Sequence, residues 1–166
     1  MEVRKSRAFQ PVYDKKSKIL ILGTAPSIKS CESGFYYGHP QNRFWKVIAG
    51  LCQSGIPETV KQKKELLLNN GIALWDVIDT CEIIGSADSS IKNIVVNDFS
   101  KVLRESQIEA IYANGTKALQ IYEKYVEKET KIKIAGLPST SPLNARYSFD
   151  MLFQAWEKEL SQYIKQ

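Results

Sequence analysis

Apolar residues in this chain cluster in two alternating patterns. Residues 18–23 (KILILG), 72–78 (IALWDVI), 108–113 (IEAIYA) and 131–137 (KIKIAGL) are short apolar runs bounded by turn formers, as buried strands are. Between them, apolar positions recur at helical spacing. Residues 42–52 carry Phe44, Trp45, Val47, Ile48 and Leu51, and residues 58–70 follow a proline and stop at Asn-Asn-Gly. Residues 97–105 open on Asn-Asp, which predicts a capped helix. Residues 116–129 place their charges on an outer face. Residues 148–164 form an amphipathic stretch with Met151, Leu152, Phe153, Trp156, Leu160 and Ile164. Strand alternating with helix predicts an α/β fold: a three-layer αβα sandwich around a central four-stranded parallel sheet, with right-handed crossovers.

The 166 residues suit one domain spanning 1–166, without internal repeats or low-complexity tracts. A composition 43% hydrophobic and 25% charged supplies a normal core, and the net charge of +5 permits a polyanionic partner without requiring one. Cys31, Cys52 and Cys81 are odd in number and widely spaced, so they read as free thiols rather than a disulfide framework. With His39 as the single histidine, a Cys/His zinc site is hard to build, and neither a metal nor another cofactor is expected. No apolar run approaches the roughly 18 residues of a membrane span, and the N-terminal segment lacks the apolar core of a signal peptide. A soluble cytoplasmic protein is expected.

In a parallel α/β sheet, ligands bind beyond the carboxyl ends of the strands. Gly23-Thr24-Ala25-Pro26-Ser27 follows the first strand, Trp75-Asp76 lies near the end of the second, and Asn114-Gly115-Thr116-Lys117 follows the third. The fourth strand is followed by Pro138-Ser139-Thr140-Ser141-Pro142-Leu143-Asn144. Taken singly these are ordinary turns. Meeting on one rim, they present amides and hydroxyls suited to phosphate and base edges. The acids placed near that rim, Asp76 and Asp79, are expected to be solvated or capping. The helical run Lys61, Lys63, Lys64, Glu65 reads as a wet face. Residues 34–45 (GFYYGHPQNRFW) set aromatics among His39, Gln41, Asn42 and Arg43. Phe44 and Trp45 should enter the core. Tyr36 and Tyr37 precede the helix, where they could stack on a nucleobase, and an arginine there could meet a phosphate. No P-loop and no G-x-G-x-x-G is present, which argues against nucleotide-triphosphate and dehydrogenase folds.

Three segments carry a resemblance. HPQNRFWKVI at 39–48 resembles the H-P-x-N-R-F-W-K-V segment of the mismatch-specific uracil/thymine-DNA glycosylases. GTAPS at 23–27 and LPSTSPLN at 137–144 resemble the two loop motifs of the wider uracil-DNA glycosylase superfamily. YYGHPQNRFW together with LPSTSP is most similar to its hypoxanthine-DNA glycosylase (DNA-deoxyinosine glycosylase) branch. The resemblance implies an enzyme that flips a deaminated base out of DNA and hydrolyses its N-glycosidic bond. With no lysine clearly placed for Schiff-base lyase chemistry, a monofunctional enzyme is expected, and a monomer.

The resemblance also implies Asn42 as the catalytic residue. On chemical grounds Tyr36 or Tyr37 would stack on the flipped base, the backbone amides of Thr24, Ala25, Pro26 and Ser27 would read its edge, and His39 would contact base or phosphate or else serve the structure. Asn114, Lys117, Ser139, Thr140, Ser141 and Asn144 would then meet the DNA, with Leu143 as a wedge. Two positions depart from the family pattern: Ala25 stands where a polar water-handling residue is common, and Leu137 where some branches carry histidine. Uracil or G/T-mismatch excision, or damaged-DNA binding without catalysis, are the alternative readings.

Overall fold

The computed structural model describes residues 2–164. In chain order its elements are β1 (Val3–Arg7), β2 (Ile19–Gly23), α1 (Ile28–Ser33), α2 (Phe44–Leu51), α3 (Val60–Asn69), β3 (Ile72–Asp76), β4 (Ile78–Ile84), β5 (Lys92–Val96), α4 (Ser100–Arg104), β6 (Ala110–Asn114), α5 (Thr116–Tyr125), α6 (Glu127–Thr130), β7 (Ile134–Leu137) and α7 (Phe149–Leu160). Four of the strands form the expected parallel sheet, in the order β3-β2-β6-β7.

Every residue of β2 is buried, because both faces of this strand are covered. Ile19 and Ile21 point into one core, and Leu20 and Leu22 into the other. The first core is closed by α2, α3 and α7 through Phe44, Val47, Leu67, Leu152 and Trp156. The second is closed by α4 and α5 through Val102, Ile121 and Tyr122, together with Cys81 and Ile83 of β4. Fully buried side chains such as Leu152 and Leu160 each contribute about 1.5–3 kcal/mol by leaving water. The Ser148 hydroxyl caps α7 by accepting from the Met151 amide, which is worth about 1 kcal/mol.

Three features differ from the pattern expected. A second, antiparallel sheet of order β1-β4-β5 packs beside the first. Its strands are half exposed and carry charge, so no apolar run announced them. The helix expected over 116–129 breaks at Val126 into α5 and α6. The Asn97 side chain does not cap a helix. It donates to the Asp76 carbonyl, while the Asp98 carboxylate accepts from the Ser100 amide.

The two sheets join at Val77, whose amide donates to the Gly23 carbonyl and whose carbonyl accepts from the Asn97 amide. The chain therefore leaves the parallel sheet directly after Asp76 and enters the second sheet at Ile78. The short β1 ties back onto the rim: Arg4 donates from Nε to the Gly85 carbonyl (2.6 Å) and from Nη2 to the Pro26 carbonyl (3.0 Å).

Candidate active site

A cavity of about 570 Å³ opens at the carboxyl ends of the parallel strands, within the usual range for a small-molecule site. Thr24, Ala25, Pro26 and Ser27 form one wall, and Tyr36, Tyr37, His39 and Asn42 another. Asn114, Ser139, Thr140, Ser141 and Leu143 complete the ring. Lys117 and Asn144 do not line it. The Asn144 amide instead donates to the Ser139 carbonyl, inside its own loop.

The wall carrying Asn42 is built from backbone locks. The Asn42 carbonyl oxygen accepts from the Phe44 amide at 2.9 Å, fixing the side chain at the start of α2. Its amide nitrogen makes no hydrogen bond to the described residues and is left as a donor on the cavity wall. The Nδ1 atom of His39 accepts from the Gln41 amide. A neutral ring making that bond carries its proton on Nε2.

Arg43, a candidate for phosphate, is committed elsewhere. It donates to the carbonyls of Tyr147 (2.5 Å), Ser141 (3.0 Å) and Asn144 (3.1 Å), and its backbone amide donates to Thr140. The loop after β7 thus hangs on the start of α2. The indole of Trp156 adds a bond to the Pro138 carbonyl.

Asn114 and Thr140 form a reciprocal pair. The Asn114 amide nitrogen donates to the Thr140 hydroxyl, and the Thr140 backbone amide donates to the Asn114 carbonyl oxygen, each at 3.0 Å. Both residues are buried, and this exchange uses both polar atoms of the Asn114 side chain. The pair holds the last loop against the end of β6. Leu143 stands at the opposite extreme, 86% exposed at the rim.

Tyr36 is more of a core residue than its loop position suggested. It is buried, packs edge-on against Phe9 and Phe35, and donates to the Gln10 carbonyl at 2.7 Å. Tyr37 adopts a left-handed backbone (φ 52°), a strained conformation for a bulky residue. Its ring stacks on Phe44 with centroids 4.1 Å apart, and its hydroxyl is buried with no hydrogen-bond partner among the described residues. Burial, and then the nearby Asp76 charge, push the Tyr37 phenol well above its ordinary pKa, with the Asn114 amide opposing.

Asp76 differs most from expectation. It is neither solvated nor capping: it is 4% exposed, lines the cavity floor, and its Oδ2 has no hydrogen-bond partner among the described residues. Burial raises its carboxyl from 3.8 to about 7. Asp79 does not line the cavity. Gly23, paired with Asp76 across β2 and β3, makes room for this acid. A Cβ at Gly23 would lie 2.5 Å from Asp76 Oδ1 and 2.9 Å from the Tyr37 hydroxyl.

The sequence also gave no warning of Ile83, Ser86 and Asp88 on the far wall, which come from β4 and the turn beyond it. The buried positions Ile78, Cys81 and Ile83 do not alternate strictly, because the β4–β5 ladder is irregular, so the period-2 signal of a strand was blurred.

A sequence model of the family described as the uracil DNA glycosylase superfamily matches residues 10–161. This chain belongs to the uracil DNA glycosylase superfamily. Similar proteins within it include a hypoxanthine DNA glycosylase of Methanosarcina acetivorans, 38% identical over 148 residues that cover 86% of this chain and 90% of the relative. The hypoxanthine DNA glycosylase of Methanosarcina barkeri is 34% identical over 138 residues, covering 80% and 86%. Among solved structures, the solution NMR structure of a Methanosarcina acetivorans protein named as a uracil DNA glycosylase superposes with a TM-score of 0.83. It is 32% identical, and the match covers 96% of this chain and 99% of that one. The glycosylase fold therefore extends over nearly all of the described residues. Among them, no helix is long and apolar enough to cross a membrane.

Proposed function

We propose that this glycosylase hydrolyses the N-glycosidic bond of a deaminated nucleotide in DNA, with hypoxanthine as its base, and leaves an abasic site. The relatives named for hypoxanthine support the choice of base. The observation that carries the reading is the pinned Asn42 side chain, which sets a free amide donor on the wall of a cavity with room for a flipped nucleotide.

Breaking the C1′–N bond places positive charge on the sugar and negative charge on the departing base, as in glycoside hydrolysis. The DNA phosphates stabilise the first charge. A fixed donor in a dry pocket stabilises the second by about 2.7–4 kcal/mol. An amide is no base near neutral pH, and the Asn42 oxygen already serves Phe44, so Asn42 acts as the donor to the leaving purine.

Thr24, Ala25, Pro26 and Ser27 hold the base from one side, and Tyr36, Tyr37 and His39 from the other. Ser139 and Ser141 meet the DNA backbone, assisted by Lys117 and Asn144 outside the cavity. Asn114 and Thr140 act through the loop they fasten. Among the described residues the lysine on the cavity wall, Lys29, pairs with Glu32 at 3.4 Å, which supports a monofunctional enzyme.

The test is incubation with duplexes containing deoxyinosine, uracil or a G/T mismatch, followed by hot alkali and a gel. Cleavage is expected on the deoxyinosine strand, with Asn42→Ala reducing the single-turnover rate by about two orders of magnitude. Wild-type rates in Asn42→Ala remove that residue from the mechanism. Tight binding to damaged duplex without alkali-labile sites removes catalysis altogether.

A further inference from the structure

Asp76 places an acid at the floor of the cavity with no hydrogen-bond or ion-pair partner for its Oδ2 among the described residues. A buried, unpaired carboxylate is costly enough that its retention calls for a ligand. Beside it, on the same side of Gly23, lies the buried Tyr37 hydroxyl, also unpartnered. The floor thus offers an acceptor and a donor side by side.

Deamination changes the edge of a base in a matching way. Adenine presents a lone pair at N1 and an amino group beside it. Hypoxanthine presents an N1–H beside a carbonyl oxygen. An ionised carboxylate is acceptor-only, so it pairs with the N–H and meets the adenine lone pair with repulsion. We propose that Asp76 is the residue that separates deaminated from normal bases: its carboxylate accepts the N1–H of hypoxanthine while Tyr37 donates to the adjacent carbonyl. This rests on the hypoxanthine reading above and adds the means by which adenine is refused.

The same geometry makes the refusal depend on pH. Burial holds the carboxyl near 7. Above that value Asp76 is ionised and selective. Below it the neutral acid has an O–H to give to adenine N1 and a carbonyl to take the amino proton, so adenine becomes acceptable. The phenols and the thiol facing it do not set the switch. Tyr36 and Tyr37 on the loop before α2, and Cys81 on β4, all have their pKa values raised by burial, so they stay neutral across this range. Lys29, His39 and Asp88 supply the remaining titratable groups on the cavity wall.

The test uses the full chain and equilibrium binding to duplexes carrying the uncleavable 2′-fluoroarabino nucleotide of hypoxanthine or of adenine, each opposite thymine. For wild type, the preference for hypoxanthine should fall at least about tenfold between roughly pH 8.5 and roughly pH 5.5. In Asp76→Asn, whose amide both donates and accepts and does not titrate, the preference should be smaller and flat with pH. A wild-type preference independent of pH, or an Asp76→Asn protein with the wild-type preference at both pH values, overturns the assignment. If Asp76→Asn does not fold, the wild-type pH series decides alone. Failure of the underlying reading looks different: no release of hypoxanthine from a deoxyinosine duplex and no preference at any pH. Active excision with a pH-independent preference sinks the role of Asp76 only.

Discussion

On one side of the cavity, Arg43 gives its two Nη nitrogens to three backbone carbonyls, and Asn114 and Thr140 exchange two hydrogen bonds. On the other, Asp76 Oδ2 and the Tyr37 hydroxyl sit buried with none. All of these groups are polar, and all lie in or beside the three loops that sequence comparison singles out. What separates them is satisfaction. A buried polar group whose partners come from the protein is holding the fold, and one whose partners are missing is poised for something that arrives.

The sharpest way to break this contrast is to remove Arg43. Arg43→Ala deletes three bonds from a charged donor, each worth at least about 1.5 kcal/mol, so a loss of about 4–5 kcal/mol is expected. Urea unfolding measures it. Activity should fall only as the folded fraction falls and the loop after β7 loosens. Near-native stability combined with lost excision would mean that Arg43 acts on the ligand, and the division between holding and waiting groups would fail there.

Asp76→Asn should shift stability in the opposite direction. Its folded pKa of about 7 lies above the ordinary 3.8, so the folded state binds its proton more tightly than the unfolded chain. The favourable contribution is complete below about pH 3.8 and is lost as pH rises through about 7. At about pH 8 wild type therefore carries an ionisation cost of up to roughly 4 kcal/mol, which the amide removes. Thermal melts should show the variant more stable at about pH 8 and equal to wild type near pH 4. A variant less stable at high pH would mean that the carboxylate has a stabilising partner, and the contrast would lose its best example.

How far all this could be read from the sequence follows the same physics. The strands β2, β3 and β6 were legible because burial on both faces leaves continuous apolar runs, and the edge strand β7 because its short apolar run is bounded by turn formers. The strands β1, β4 and β5 were not, because a half-exposed strand such as Val-Arg-Lys-Ser-Arg reads as a charged tail. The far cavity wall went missing with them. The loops were legible as a rim, and Asn42 through its motif. Asp76 was named but misjudged, since an acid next to a strand end is usually wet. Only the register of β2 on β3, the small Gly23 and the absence of a cation reveal that it is dry. The commitment of Arg43 to backbone carbonyls 98 to 104 residues away is likewise a property of the fold and not of any local pattern.

Leu143 extends the contrast to an apolar group. At 86% exposure it buries almost nothing in the free protein, and an exposed leucine by itself means little. Its loop, however, is held firmly from below. Asn144 donates to the Ser139 carbonyl, the Leu143 amide donates to the Ser141 hydroxyl, and Arg43 binds the carbonyls on either side. A rigid loop carrying an unburied side chain at the mouth of this cavity suits a wedge that fills the stack once a nucleotide has left it. Leu143→Ala should then change folding stability by less than about 0.5 kcal/mol. It should slow excision from duplex DNA about tenfold, equivalent to about 1.4 kcal/mol. Excision from a single strand, which has no stack to refill, should stay at the wild-type rate. Equal losses on both substrates would place Leu143 in the pocket instead of the duplex. A loss of stability would show that it packs against the protein after all.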